Sequence, residues 1–152
     1  MAAKAGGALL PSSPVDRARA AIWADQIVGK FTGAFYALLR CYDESQVAAK
    51  TAALIDAAAA AGDFIGGGAG PFVSGASVSL PDFLLWPFVE RLCVVEHYRA
   101  FQLPSSGTRG LETFAAWCAA MRKNKSVAET AQDAAFFING YAGYAKPPTV
   151  SS

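Results

Sequence analysis

Charged side chains are scarce in this sequence. Asp, Glu, Lys and Arg make up 16% of its 152 residues, whereas an average soluble domain has roughly 25%. The 13 basic and 12 acidic residues nearly balance, to a net charge of +1, and they form no basic cluster. Nothing therefore favours a nucleic acid or an anionic membrane as a partner. So few charges leave little polar side chain to cover the surface, which indicates that another molecule covers part of it.

Histidine and cysteine are scarce too. A single histidine, His97, cannot build a histidine-rich metal site, and we expect it to be structural. The cysteines are odd in number and widely spaced, which argues against a disulfide framework and matches no metal-ligand spacing; they are Cys41, Cys93 and Cys118. We therefore predict no metal site and a reducing, intracellular compartment, either the cytoplasm or the interior of an organelle.

Long apolar runs are absent. The purest apolar stretch, residues 83–89, is interrupted by Pro87 and is far shorter than the roughly 20 residues that span a bilayer. Residues 1–10 lack the apolar core of a secretory signal. We expect no transmembrane segment.

Alanine is the most abundant residue, with 32 copies, and it is the strongest helix former. A chain of this length corresponds to about one domain with its own core. The sequence therefore predicts a single all-α domain, a bundle of about five or more helices.

Capping residues and apolar spacing predict the first helix. Ser13 and Pro14 are placed to start it, and apolar residues then recur at spacings of three and four as far as Tyr42. Gly29 and Gly33 lie inside this helix and predict a bend or a close helix contact there.

The second helix is predicted to start near Asp43 and Glu44 and to end at Gly62, a residue typical of helix stops. The small side chains of residues 57–61 predict that another element approaches closely. The glycine-rich segment 66–71 is interpreted as a loop without phosphate-binding function, because no Lys-Ser/Thr pair follows it.

The third helix carries the strongest local signal. Ser79 and Asp82 match a capping box at its start. The helix is apolar on nearly every side before Glu90, which predicts a central, buried position. Pro87 lies inside it and predicts a kink near the carbonyl of Phe83.

Two more helices are predicted toward the C-terminus. The fourth runs from about Leu111 to Lys123. Ser126 and Glu129 match another capping box, which predicts a fifth helix from there through Tyr141.

The stretch SLPDFLLWPFVERL, from Ser79 to Leu92, resembles the central helix of the all-α, C-terminal domain of the glutathione transferases. Its LWPFVERL part is closest to the omega class, and the later FAAWCAAMRKNKSV keeps the order of that domain. The resemblance implies a helical domain of this type over residues 9–144. It leaves an N-terminal extension, residues 1–8, and a polar tail, residues 145–152.

The resemblance also implies what this chain lacks. Glutathione transferases begin with a thioredoxin-like domain that binds glutathione and supplies the catalytic residue, whereas about eight residues precede the helical domain here. The omega-class nucleophile is the cysteine of a Cys-Pro motif, which none of the three cysteines matches. We therefore expect no catalytic residue and no cofactor, with glutathione bound only if a thioredoxin-like partner is supplied.

A hydrophobic substrate pocket is implied by the omega-class resemblance, with an arginine facing it and aromatic residues lining it from the first and last helices. The residues predicted to form it are Arg91, Trp23, Phe136 and Phe137. Ala134 stands where the family has a tryptophan. The alternative for Arg91 is an exposed ion pair with Glu90, because such surface pairs are common and weak.

Three functions are compatible with these observations. The first is a non-catalytic interaction module, an accessory subunit of a larger protein assembly. The alternatives are the second half of an omega-like glutathione transferase, and a carrier of small hydrophobic ligands. For the first, we expect another protein chain on the face that the thioredoxin-like domain covers in the family. Arg17, Arg19 and Trp23 are predicted near its rim, with Arg91 facing inward.

Overall fold

The helices of the computed structural model, which describes residues 12–147, confirm the predicted all-α class. The elements are α1 (Pro14–Ile22), a π-helical segment (Trp23–Val28), α2 (Gly29–Leu39), α3 (Glu44–Gly66), α4 (Leu80–Glu90), α5 (Leu92–Arg99), α6 (Arg109–Lys123), α7 (Lys125–Thr130) and α8 (Ala134–Tyr141). Within the described residues, no helix is both long and apolar enough to cross a bilayer. The predicted extension, residues 1–8, and residues 148–152 of the predicted tail lie outside the described residues.

The first predicted helix is continuous, but its irregularity lies elsewhere than expected. Ser13 caps α1, and Pro14 occupies its first turn, as predicted. The prediction of a close contact at Gly29 and Gly33 is wrong, because a Cβ added at either position meets nothing within 4 Å. The chain is instead wound more loosely in the π-helical segment just before them, where the indole Nε1 of Trp23 donates to the carbonyl of Pro81 at 2.8 Å.

Close packing joins α3 to α6. A Cβ added at Gly62 would lie 1.7 Å from the carbonyl oxygen of Gly110, so the two backbones touch there. The predicted close approach to the alanine run 57–61 is confirmed, since α6 packs against α3. The predicted helix end at Gly62 is wrong: α3 continues to Gly66, because Gly62 admits the neighbouring backbone instead of terminating the helix.

The predicted capping box at the start of α4 is present and wholly buried. The Asp82 carboxylate, which is 0% exposed, accepts from the Ser79 backbone N–H at 2.9 Å and from the Ser79 hydroxyl at 3.0 Å. It also accepts from the backbone N–H of Val73 at 3.0 Å and from the indole Nε1 of Trp117 at 2.9 Å. One side chain thus connects α4, the preceding loop and α6.

The third predicted helix is divided in two at Arg91, four residues beyond the proline, and not near Phe83. Pro87 lies within α4. Arg91 has ψ 1°, and its backbone N–H turns back to the carbonyl of Val89. Its guanidinium Nη1 donates to the carbonyl of Pro87, which is the acceptor that the Arg91 backbone would use in a regular helix. The side chain therefore compensates for the break.

The predicted fifth helix is two short helices, and its predicted cap is wrong. The side chain of Asn124, not of Ser126, caps α7, accepting from the backbone N–H groups of Ser126 at 3.0 Å and Val127 at 3.3 Å. The chain is extended at Ala131, and Asp133 caps α8. Asn and Ser are about equally good caps, so the local pattern alone does not decide between them.

Arg99 at the end of α5 holds three chain segments together. Its guanidinium donates to the carbonyls of Leu38 at 3.2 Å and Leu39 at 2.6 Å, in the last turn of α2. It also donates to the carbonyl of Ala145 at 2.8 Å. Ala145, placed by the sequence at the start of the polar tail, is therefore buried against the bundle.

Replacing Asp82 by alanine is expected to destabilise the domain by at least about 3 kcal/mol, because each buried donor left without a partner costs roughly 1–3 kcal/mol. Asp16→Ala, in the exposed first turn of α1, is expected to cost only about 0.5 kcal/mol. Chemical denaturation of both variants measures the difference. An equal loss of stability would contradict the central role of the Asp82 carboxylate.

Two glycine-to-alanine substitutions are expected to change the melting temperature in opposite directions. Alanine is favoured over glycine in a helix interior by up to about 1 kcal/mol, so Gly33→Ala should raise the melting temperature. Gly62→Ala should lower it, because the new methyl group would collide with the backbone of Gly110. Thermal unfolding followed by circular dichroism compares the two variants, and stabilisation by both would mean that α3 and α6 are farther apart.

Candidate functional site

Arg91 lies against an aromatic side chain and not in an ion pair. Its guanidinium carbon is 5.0 Å from the ring centroid of Phe137 on α8. The side chains of Arg91 and Glu90 are both half-buried, and no salt bridge joins them; in the described part of the chain the one salt bridge is Lys125–Glu129. The break between α4 and α5 therefore turns Arg91 toward α8.

Five aromatic side chains pack beside Arg91 in what we call the tyrosine cluster: Phe35, Tyr36, Phe88, Tyr141 and Tyr144. The hydroxyls of Tyr36 and Tyr141 are 3.4 Å apart. This hydrogen bond, together with burial, raises the pKa of Tyr36 above its usual value. Arg40 lies over the rings of Tyr36 and Tyr144, at 5.3 and 5.2 Å. The five rings fill the space of the cluster, and the Tyr36 hydroxyl is protonated at physiological pH because its pKa is raised.

A separate cavity of about 740 Å³ lies between α4, α5 and α6 on one side and α7 and the start of α8 on the other. We call it the α5–α6 cavity. Its apolar wall includes Trp86, Val89, Leu103, Cys118, Val127 and Phe137. Phe137 belongs to both regions, since it lines this cavity and also contacts Arg91.

Cys93 and Cys118 are not activated for nucleophilic chemistry. Burial raises the pKa of the Cys118 thiol to about 12. Burial, with the Glu96 carboxylate nearby, also raises the pKa of Cys93. Both side chains line the α5–α6 cavity and are protonated at neutral pH, whereas nucleophilic attack requires the thiolate. Cys41 lies after α2, where its thiol donates to the carbonyl of Asp43 at 3.3 Å.

Other catalytic or metal-binding arrangements are equally weak in the described residues. No three His, Cys, Asp or Glu side chains between residues 12 and 147 are grouped so that they could hold a metal ion. His97 is exposed and packs edge-on against Tyr98, with 4.7 Å between the ring centroids. Among the described residues, the α5–α6 cavity is therefore a mainly apolar space without grouped metal ligands.

Two of the four predicted pocket residues come together and two do not. Arg91 and Phe137 are in contact. Phe136 is 60% exposed, because neighbouring residues on a helix point about 100° apart and only one of the pair can face inward. Trp23 was expected at the rim of an open face, and this is wrong: it is 0% exposed and lies in the core.

Sequence reasoning missed the tyrosine cluster and the α5–α6 cavity. Tyr36 and Tyr141 lie on the first and last predicted helices, and nothing in the local sequence around either residue indicates that their hydroxyls meet. Cys118 lines the cavity, but the apolar pattern of a helix does not distinguish a cavity wall from solid core.

Several large apolar side chains remain exposed at the start of the bundle. Val15 and Ile22 on α1 are 68% and 45% exposed, and Leu84 on α4 is 39% exposed. Val15 and Ile22 are seven residues apart and so lie on one side of the helix. The bond from Trp23 to Pro81 brings the end of α1 next to the first turns of α4. We call this surface, defined by Val15, Ile22 and Leu84, the α1–α4 face.

The two arginines predicted at the rim of this face are placed differently. Arg17 is exposed on α1, but it is two residues from Val15 and therefore points about 160° away from it around the helix. Arg19 is half-buried, because its guanidinium lies 4.9 Å from the ring centroid of Phe64 and donates to the Phe64 carbonyl at 3.4 Å. Arg17 can therefore contact a partner, whereas the Arg19 side chain is bound to Phe64 on α3.

Two solved structures that share this fold are glutathione transferases. One is described as Leishmania TDR1, a unique trimeric glutathione transferase; it is 27% identical, with a TM-score of 0.74, over 95% of this chain and 32% of that chain. Another is a Tau class glutathione S-transferase from mango, 19% identical, with a TM-score of 0.73, over 90% of this chain and 62% of that chain. The chain thus spans less than two thirds of either protein.

No protein-family model and no curated protein matches the chain. The relation rests on structure over nearly the whole chain and on the residues from Ser79 to Leu92, and it does not establish the omega class. The chain has the fold of the all-α, C-terminal domain of the glutathione transferases.

Proposed function

We propose that this helical domain is a non-catalytic interaction module that docks onto a second folded protein through the α1–α4 face, as an accessory subunit of a larger assembly. The observation that carries the proposal is the exposure of three large apolar side chains, Val15 and Ile22 on α1 and Leu84 on α4. Large exposed apolar patches mark protein interfaces. The family resemblance supports it, since a thioredoxin-like domain covers the corresponding face in glutathione transferases.

The chemistry of the described residues also supports a non-catalytic role. A glutathione-dependent enzyme needs a group that activates the glutathione thiol or a cysteine thiolate that acts as the nucleophile. The raised pKa values of Cys93 and Cys118 keep these two thiols protonated. The low overall charge fits a molecule that is partly covered. The compartment, cytoplasm or organelle interior, stays a prediction from the cysteine spacing.

A second candidate is the helical half of a glutathione transferase, which would contribute a substrate pocket to a thioredoxin-like partner. The contact between Arg91 and Phe137, beside the tyrosine cluster, favours it. A third candidate, a carrier of small hydrophobic ligands, would use the same region without catalysis.

The 152-residue chain alone is expected to have no glutathione-conjugating and no thiol-transferase activity, because its buried thiols are protonated at neutral pH. Steady-state assays with standard substrates for both reactions measure this. Turnover that is lost when Cys41, Cys93 or Cys118 is replaced by serine would overturn the non-catalytic proposal.

Placing a charge on the α1–α4 face is expected to abolish partner binding. Leu84→Glu adds a carboxylate at an exposed apolar position of α4 and should leave the helix content unchanged. Phe136→Glu is the matched control, since it charges an exposed apolar side chain on α8, outside that face. The measurement is quantitative mass spectrometry of proteins that co-purify with each tagged variant at native concentration.

A partner that binds the wild type and Phe136→Glu but not Leu84→Glu supports docking at this face. Equal recovery with both variants, or none with the wild type, would contradict it. If the partner is a thioredoxin-like protein and the purified complex conjugates glutathione, the second candidate function is correct instead.

A further inference from the structure

Tyr36 on α2 and Tyr141 at the end of α8 form a pair of phenols whose hydroxyls meet. Their oxygens are 3.4 Å apart, and their ring centroids are 6.4 Å apart with the planes 31° from parallel. The hydroxyls of Tyr42 and Tyr98 instead donate to backbone carbonyls. The rings of Tyr36 and Tyr141 therefore face each other at their hydroxyl ends, where the ring carbons ortho to each oxygen also lie.

The surroundings of this pair suit loss of an electron together with a proton. Both side chains are half-buried, so a small oxidant in solvent reaches their edges. Tyr36 is protonated, because its hydrogen bond to Tyr141 and burial raise its pKa. Arg40 and Arg91 place positive charge near Tyr36. That charge disfavours a cationic ring, so the phenolic proton leaves with the electron.

Helix α8 is held to the bundle by little buried side-chain surface. Phe137 is its one buried residue among those described, and the neighbouring Phe136 is 60% exposed. Elements with few buried apolar contacts open more readily than the core of a fold. A covalent bond between α8 and α2 would therefore change the behaviour of this part of the chain more than that of the core.

We propose that Tyr36 and Tyr141 are an oxidative modification site, at which a diffusible one-electron oxidant joins α2 to α8 through a dityrosine bond. Each phenol loses one electron and its hydroxyl proton, and two equivalents of the oxidant, such as a peroxide-derived radical, take the two electrons. The two phenoxyl radicals couple through a carbon–carbon bond between ortho carbons. The hydrogen on each of these carbons then moves to the oxygen of its ring, which restores both phenols. The net change is the loss of two hydrogen atoms.

The bond would fasten α8 over the space beside Arg91. It joins residues that are 105 positions apart in the sequence, and a cross-link that closes a long loop stabilises a fold by restricting the unfolded chain. Phe137 on α8 lies against Arg91, so fixing α8 keeps that guanidinium covered. This inference does not depend on docking at the α1–α4 face.

The test oxidises the 152-residue chain at low concentration with tris(bipyridine)ruthenium(III), a one-electron oxidant generated by light and persulfate. The product should migrate as a single chain, show dityrosine fluorescence and weigh two hydrogens less. Tandem mass spectrometry after trypsin should find residues 31–40 linked at Tyr36 to Tyr141 as the main tyrosine cross-link. The same treatment in urea should lose this preference. The melting temperature of the cross-linked chain should be higher than that of the untreated chain.

Four variants locate the bond. Tyr36→Phe and Tyr141→Phe should each abolish it, because each removes one of the two phenols. Tyr98→Phe is the matched control, since it removes a half-buried hydroxyl that donates to a carbonyl and should leave the yield unchanged. Tyr144→Phe should also retain the bond, although its ring centroid is 5.7 Å from that of Tyr141. Circular dichroism checks that each variant is folded before oxidation.

Each contrary result overturns the proposal. Absence of an intramolecular cross-link in the folded wild type removes the site. A main product at other tyrosines, or loss of the bond in Tyr144→Phe, assigns the coupling to a different pair. Equal yields in the folded and the urea-unfolded chain would show that the geometry of the pair has no part in it. An unchanged melting temperature after cross-linking would contradict the fastening of α8.

Discussion

The carboxylate of Asp82 accepts four hydrogen bonds with no access to water, and the arrangement of the remaining helices depends on it. A buried charge is tolerated only when it is fully hydrogen-bonded. The donors come from the cap residue Ser79, from Val73 in the loop and from Trp117 on α6. The loop and α6 can therefore adopt only positions in which their N–H groups reach the same two oxygens. A position at the N-terminus of α4 also favours the negative charge electrostatically.

The same hydrogen bonds determine the shape of the α5–α6 cavity. Trp117, held by Asp82, packs edge-on against Trp86 at 5.9 Å, and Trp86 forms part of the cavity wall. Two turns earlier on α6, the contact between Gly62 and Gly110 sets the distance to α3. With α6 fixed at two points along its length, the short helices α7 and α8 complete the wall without filling the space. The cavity is a consequence of how α6 is held.

Local interactions made much of the fold predictable. Caps such as Ser13, Asp43 and Ser79 act within one turn of sequence, so their patterns identified these three helix starts correctly. Features that depend on a distant neighbour were not predictable. In the sequence Gly62 has the features of a helix stop, and only its contact with Gly110 on α6 shows why a glycine is needed there. The burial of Trp23 likewise depends on the π-helical segment, which turns its side chain toward Pro81. The cavity is harder still, since no single element encloses it.

Ala134 shows how the family fold and a particular binding site can diverge. The omega-class resemblance implies a tryptophan at this position, and in this chain the small Ala134 side chain lines the α5–α6 cavity. An indole there would occupy part of the 740 Å³ that is open. The neighbouring Phe137 lines this space and also contacts Arg91, so the small side chain of Ala134 leaves volume open on the side of Phe137 that faces Trp86 and Arg122. A shared helical fold therefore does not carry the family's ligand with it; the side chains that surround each space decide what it can hold.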